Sequence, residues 1–339
     1  MKDRVRILAI GGKGGSVTEG LLKCLRLAKY TNITLLEYDK HAAHLYRIPN
    51  HIIIDKTPDD GHEYIDMILE VCKKYSINTI LSGATWESKI LSKHNNELKE
   101  RGIIPLVNNQ NLIEIGDDKW ETFKFLKSKS IGTPETFEEI ETAIKFFSSS
   151  TKLVIKPKKG RGSQNIFISN NHEELISICN FFKVKNIDFI IQEHISNANR
   201  EYTVGVINDK TGRLVQSIVM QRNLLGGATG YAKVCEHSPI NDFCEDVALK
   251  LRSTGPINIQ LRLDDKENPL IFEINPRFSG SAIMRALAGF NEPDMIIRNF
   301  VLNEEITKVS IKENNEYYRV FQEIEIEAGT NIGTIQNYN

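Results

Sequence analysis

The stretch from Pro256 to Phe278 constrains this chain more than any other. Two apolar runs, Ile257 to Leu263 and Leu270 to Asn275, flank the loop Asp264-Asp-Lys-Glu-Asn-Pro269. A simple hairpin centred on that loop sets Gln260 opposite Glu273 and Asn258 opposite Asn275. Strand alternation then puts Ile259, Leu261, Leu263, Leu270, Phe272 and Ile274 on the buried face. The other face gathers one carboxylate and three amides, with Arg277 just beyond. Solvated strands favour Lys, Thr and Glu, so this set is unusual. Oxygen donors of this kind suit Mg²⁺, which takes few protein ligands and completes its shell from phosphate and water.

The rest of the 339 residues supplies a frame for that hairpin. Over the first hundred or so, strand and helix patterns alternate: Val5 to Ile10, a glycine-rich turn Gly11-Gly-Lys-Gly-Gly15, a helix with Ser16 as N-cap and Glu19 at capping-box spacing, then Ile33 to Glu37. A helix pattern over Tyr64 to Tyr75 and a strand over Asn78 to Leu81 follow. This order predicts a Rossmann-like parallel sheet covered on both faces. After about residue 115 the pattern changes. A helix closes at Ile144 to Phe147, Ser148-Ser-Ser150 turns, and Lys152-Leu-Val-Ile-Lys-Pro157 runs into the basic glycine loop Lys158-Lys-Gly-Arg-Gly-Ser163. Phe189 to Gln192, Tyr202 to Val206 and Leu214 to Met220 read as antiparallel strands, the last two joined by the turn Asp209-Lys-Thr-Gly212. Tyr318 to Ile326 alternates enough to add one more strand.

Phe272-Glu-Ile-Asn-Pro-Arg-Phe-Ser279, preceded by Asn258-Ile-Gln260, resembles the magnesium-binding signature of the ATP-grasp superfamily. It is most similar to the ATP-binding domains of the carbamoyl-phosphate synthase large subunit and their single-module relatives, the carboxylate–amine ligases. The resemblance implies that Glu273 and Asn275 hold Mg²⁺ with help from Gln260, and that Arg277 contacts phosphate. It also implies that Lys119, after Asp118, and Lys156 are the two phosphate-contacting lysines, with Lys156 reaching the α- and β-phosphates. Gly160, Arg161, Gly162 and Ser163 become a mobile loop that closes over the phosphates, where glycines let backbone N–H groups nest an anion. Gln192, Glu193, His194 and Ile195 resemble the hinge that binds the adenine edge, and Glu201 the acid that binds ribose. Arg222 is expected at the γ-phosphate or a substrate carboxylate, and Arg285 at a substrate carboxylate.

The architecture implied is an α/β N-terminal domain over 1–112, an α+β ATP-grasp module over 113–310 with a mobile lid subdomain at about 120–200, and a C-terminal extension over 311–339. The reaction implied is ATP-dependent joining of a carboxylate to an amine through an acyl phosphate, with ATP and Mg²⁺, or Mn²⁺ in its place. Carbamoyl- or carboxy-phosphate chemistry, a kinase and a non-catalytic ATP-binding subunit use the same nucleotide contacts and remain alternatives. A dinucleotide reading of the first glycine turn needs glycine at position 17, where Val17 stands, although Glu37 and Asp39 follow the second strand as a ribose acid would. The more direct reading is that the backbone of Gly14, Gly15 and Ser16, at a helix N-terminus, faces an anionic substrate, with Ser82-Gly-Ala-Thr-Trp-Glu87 on the same side.

The 43 basic and 44 acidic residues leave a formal net charge of −1. That balance argues against a broad basic surface for nucleic acid. No apolar run reaches membrane-spanning length, and the N-terminal one is too short for a signal peptide. Cys24, Cys72, Cys179, Cys235 and Cys244 are odd in number and form no CxxC pair. Buried thiols in a cytoplasmic protein are therefore expected, not a disulfide framework or zinc site. His41 and His44 read as structural. Small-molecule carboxylate and amine substrates, and a homodimer, complete the expectations.

Overall fold

The first eighty residues bury their apolar runs on two sides at once. Every residue of β1 (Ile7–Ile10) is buried; Ile7 and Ala9 enter the core under α1 (Ser16–Leu27), while Leu8 and Ile10 enter the core under α2 (Gly61–Lys74). A strand without a polar face belongs inside a parallel sheet with helices on both faces. β1 pairs in parallel with β2 (Ile33–Glu37) and β4 (Thr79–Ser82), while β3 (Asn50–Ile53) and β5 (Ile104–Pro105) complete the order β3-β2-β1-β4-β5. The computed structural model describes residues 1–11, 15–54, 61–147, 152–160, 162, 164–196, 200–320 and 322–329. The turn at Gly12-Lys-Gly14 and the serine turn at 148–150 lie outside them. The first helix begins at Ser16, so its N-cap is Gly15 and not Ser16 as the sequence pattern suggested.

Helices α3 (Thr85–Lys93), α4 (Asn95–Glu100), α5 (Gln110–Asp117) and α6 (Lys119–Ser128) lead to a second, four-stranded sheet. Its strands β6 (Thr136–Phe137), β7 (Leu153–Pro157), β8 (Phe167–Ser169) and β9 (Phe189–Glu193) run in the order β6-β9-β7-β8. With α7 (Ile140–Phe146) and α8 (His172–Val184) they enclose their own core of Leu153, Ile155, Leu175, Phe182 and Ile191.

The third sheet is six-stranded, in the order β14-β13-β10-β11-β12-β15. Its strands are β10 (Glu201–Asn208), β11 (Leu214–Leu225), β12 (Ala228–Val234), β13 (Pro256–Leu263), β14 (Pro269–Asn275) and β15 (Glu316–Tyr318). Helix α9 (Pro239–Lys250) covers one face. Helices α10 (Ala282–Leu287) and α11 (Glu292–Phe300) carry Ala282, Ala286, Ile296 and Ile297 into the same core as Leu21, Leu22 and Leu25 of α1. That shared core joins the first and third sheets into one floor. The last strand is shorter than its sequence pattern: only residues 316–318 pair, with β12, and 322–327 form no strand.

The hairpin register matches expectation at the polar end, with Asn258 opposite Asn275 and Gln260 opposite Glu273. Beyond them a bulge shifts the pairing so that Leu261 faces Ile271. The inward residues of β14 are therefore Ile271 and Ile274, and Leu270 and Phe272 do not join them as strict alternation requires. The bulge is held from outside the hairpin: Ile271 donates its N–H to the Gly132 carbonyl at 2.9 Å, and its own carbonyl accepts from Thr133 Oγ1 at 2.8 Å. Gly132 has to be glycine for this approach, since a Cβ there lies 2.4 Å from the Pro269 carbonyl oxygen.

Candidate functional site

A cleft of ≈ 640 Å³ opens where the three sheets meet. From the first sheet it takes Gly15, Val17 and Thr18 at the start of α1 and Gly83 to Thr85 beyond the end of β4, the side on which open parallel sheets bind ligands. From the second it takes Lys156, Gly160, Gly162 and Gln192 to Ile195, and from the third Glu201, Arg222, Asn258, Gln260, Glu273, Asn275 and Arg277, with Lys119 at the rim. Arg161 and Ser163 lie outside the described residues. Of the other expected site residues all but Arg285 line this one cleft.

Glu273 makes no hydrogen bond or ion pair with another described residue, although Lys156 is close enough to feel its charge. A cleft carboxylate left without a donor, beside the Gln260 and Asn275 amides on consecutive positions of one face, fits a hard cation. Among the described residues no three His, Cys, Asp or Glu side chains cluster as a metal site. The donor set here is one carboxylate plus amides, which leaves most of an Mg²⁺ shell to phosphate and water. Both amide oxygens are engaged by arginines: Gln260 Oε1 accepts from Arg222 Nη2 at 2.7 Å and Asn275 Oδ1 from Arg277 Nη2 at 3.0 Å. Arg277 also reaches Thr85 Oγ1 at 3.2 Å and the Phe278 carbonyl at 2.9 Å, which ties the hairpin to the first sheet.

Lys156 is buried and donates to Gln192 Oε1 at 2.7 Å; Gln192 in turn donates to Thr136 Oγ1 at 2.8 Å. Burial, then the neighbouring Lys119 charge, lowers the Lys156 ammonium from its ordinary 10.5 to about 7. A polyphosphate bound beside Lys156 would restore the charged form, so nucleotide binding there would take up a proton where the free lysine is neutral. Calorimetry of Mg-nucleotide binding in buffers of different ionisation enthalpy should show uptake approaching one proton at pH 8 and almost none at pH 5.5. Affinity should be flat below about pH 7 and fall above it, by at most about tenfold per unit. Absence of proton uptake at pH 8 rules this out.

Glu201 does not have the geometry of a ribose acid. Its Oε1 accepts from Arg222 Nε and Nη2 at 3.0 and 2.8 Å, and its Oε2 from Arg262 Nε and Nη2 at 3.0 and 2.7 Å. The four acceptor sites of a carboxylate are thereby filled. Arg262 also donates to the Ile195 carbonyl at 2.7 Å, and the N–H groups of Glu193 and His194 bond Glu135 and Lys152 carbonyls. In the hinge, the Ile195 N–H has no partner among the described residues. Burial and Arg262 hold the His194 imidazole below its usual pKa.

Among the cleft residues that sequence reasoning missed are Arg262 and Phe272. Arg262 was within reach of it, being two positions beyond Gln260 on the same strand face. Phe272 was not: the bulge turns its ring between Lys156 Nζ, 5.6 Å from the centroid, and the Arg262 guanidinium at 5.9 Å. Arg285 corrects an expectation. It is fully buried against Glu292 and meets no substrate. Glu37 is also buried and pairs with His44 Nε2 at 2.5 Å, so it is no ribose acid and His44 is structural. From the C-terminal segment Arg319 donates to the Thr229 carbonyl at 2.9 Å and the Gly280 carbonyl at 2.6 Å, bracing the wall of the cleft.

This arrangement has known counterparts. A model of the family described as "ATP-grasp in the biosynthetic pathway with Ter operon" matches residues 185–324, and one described as "PylC-like, N-terminal domain" matches residues 5–106. Residues 185–324 thus match an ATP-grasp family. It is 26% identical over 196 residues to the carbamoyl phosphate synthase arginine-specific large chain of Halalkalibacterium halodurans; the match takes in 54% of this chain but 18% of that protein. Among solved structures the chain is similar in fold to the biotin carboxylase domain of Hydrogenobacter thermophilus 2-oxoglutarate carboxylase, a dimer in complex with MgADP, ADP and bicarbonate (TM-score 0.68, 15% identity, 92% of this chain and 73% of that one). The L-amino acid ligase of Bacillus licheniformis is similar too (TM-score 0.63, 14% identity, 88% and 75%). The described cysteines are all free, and no described helix is long and apolar enough to cross a membrane.

Proposed function

We propose that this protein is an ATP-dependent carboxylate–amine ligase that works through an acyl phosphate and releases ADP and phosphate. The observation that carries the reading is the convergence, in one cleft, of the Gln260–Glu273–Asn275 face and Arg277 just beyond it with Lys156 and Lys119 from other elements. Glu273, Asn275 and Gln260 would hold Mg²⁺, which would supply positive charge against the phosphate oxygens. Lys156 and Lys119 bind phosphate oxygens. Arg222, clamped by Glu201, faces the transferred phosphoryl group or a substrate carboxylate. The hinge at Gln192 to Ile195 takes the base. The four-stranded unit spanning residues 136–193 has its own core, which supports its reading as a lid, with Gly160 and Gly162 in the covering loop.

In the first step an oxygen of the substrate carboxylate attacks the γ-phosphorus and the bond to the β-phosphate oxygen breaks, releasing ADP. In the second, the amine attacks the acyl carbon, phosphate leaves with that carboxylate oxygen, and the amine proton passes to solvent. Positioning and electrostatic stabilisation supply most of the rate in such transfers, so no side-chain nucleophile is required. The fold similarity to amino acid ligases supports a small carboxylate and a small amine as substrates.

A panel of carboxylates labelled with ¹⁸O, each offered with a panel of amines, tests the mechanism. One label should appear in released phosphate for the active pair. Product formation with no label in phosphate refutes the acyl phosphate. A stable phosphorylated product identifies a kinase, and no phosphate above background a passive binder.

A further inference from the structure

Asn258 faces the cleft from β13 with little of its surface exposed. Its side-chain oxygen accepts from Thr203 Oγ1 at 2.8 Å and from Arg285 Nη2 at 2.5 Å, and the Thr203 hydroxyl itself accepts from Arg285 Nη2 at 3.0 Å. A guanidinium carries donors only, so the amide atom turned toward it has to be the oxygen. The Nδ2 group, with two hydrogens, is left on the cleft side without a partner among the described residues.

Arg285 is 0% exposed and pairs with Glu292, 2% exposed, through Nη1 at 3.0 and 3.3 Å. The strand above is thinned to admit the pair: a Cβ on Gly205 lies 2.4 Å from both Arg285 Nη1 and Glu292 Oε1. Burying two charges is a poor way to gain stability over apolar packing. What this pair does is hold a single amide in a single orientation.

Position along β13 says what that amide meets. Arg262, Gln260 and Asn258 share one face, and Arg262 marks the hinge through the Ile195 carbonyl. At about 3.3 Å per residue, Asn258 stands about 13 Å from Arg262, past the Gln260–Glu273 pair and on the side away from the base. With the base at the hinge, that is the end where the terminal phosphoryl group lies.

We propose that Asn258 is an anion-binding residue whose Nδ2 donates to an oxygen of the terminal phosphoryl group, and that Arg285 with Glu292 is a positioning pair that holds the amide in its donor orientation. This rests on the nucleotide reading above. Calorimetry on the full chain, with MgADP and the magnesium complex of the non-hydrolysable triphosphate AMP-PNP, separates the two. Wild type should bind both. Asn258→Ala should lose about tenfold in AMP-PNP affinity while ADP affinity stays within about twofold. Asn258→Asp keeps the shape and a partner for Arg285 but turns a carboxylate oxygen to the phosphate, so its selective loss should be larger. Arg285→Lys keeps a charge for Glu292 but not the forked reach, and should show the same selective loss to a smaller degree. Thermal melts of the same variants confirm folding. Unchanged AMP-PNP affinity in both Asn258 variants overturns the inference, as does an equal loss of both nucleotides. Failure of wild type to bind either nucleotide overturns the nucleotide reading and this inference with it.

Discussion

Glu273→Gln is expected to lower ADP release by about 10³-fold and to abolish the effect of Mg²⁺ on nucleotide affinity. The charge is what matters here. The substitution keeps the shape of the side chain, removes the one carboxylate of the Gln260–Glu273–Asn275 set, and breaks no bond to another described residue. The melting temperature should therefore stay within about 2 °C of wild type. ADP titrated with Mg²⁺ and then with a chelator provides a readout that needs no knowledge of the other substrates. Wild type should bind ADP about tenfold more tightly with the metal, and the variant equally with and without it. A variant that retains the metal dependence shows that Glu273 is not a ligand.

Glu201→Gln should be the most damaging single change to stability in the cleft. Both carboxylate oxygens are committed to Arg222 and Arg262, and Glu201 and Arg222 have side chains that are 7% and 8% exposed. Removing the shared acid leaves a buried guanidinium uncompensated, which costs about 3 kcal/mol or more. The loss should be visible as a lower denaturant midpoint at unchanged slope. Replacing all three residues with apolar ones of similar length should recover part of that stability, since the desolvation of the charges disappears along with their attraction. Nucleotide affinity should fall too, because Arg262 braces the hinge at Ile195 and Arg222 braces Gln260. Wild-type stability in Glu201→Gln refutes the clamp and returns Glu201 to the role of a surface or ribose carboxylate.

Much of the architecture was legible in local patterns. The unbroken apolar run of β1 announced a strand buried on both faces, and the turn at Asp209 to Gly212 announced the β10–β11 hairpin, where Asp209 Oδ1 accepts from the Thr211 and Arg213 N–H groups. Pairing across the Asp264–Pro269 loop followed from counting residues away from it. That is why Gln260 and Glu273 could be placed together from sequence: cross-strand neighbours near a turn depend on short-range geometry alone.

What sequence could not supply was decided by contacts between distant segments. The bulge that delivers Phe272 to the cleft depends on Gly132 and Thr133 bonding Ile271 from outside the hairpin, a contact across 138 residues for Thr133. The reassignment of Arg285 from substrate ligand to buried anchor depends on Glu292 and on the space left by Gly205, and nothing in the local pattern of α10 marks it. Glu201 looks the same in sequence whether it meets ribose or two arginines; only the third sheet, which sets β11 and β13 on either side of β10, brings Arg222 and Arg262 to it. By itself, then, the sequence determined most of the elements, the hairpin register at its polar end and which side chains share the Gln260–Glu273–Asn275 face, because period and turn chemistry act over a few residues. Which polar groups are left open to a ligand and which are consumed by the protein was decided only by tertiary structure, because a hydrogen-bonding group is satisfied by whatever the fold brings within about 3 Å.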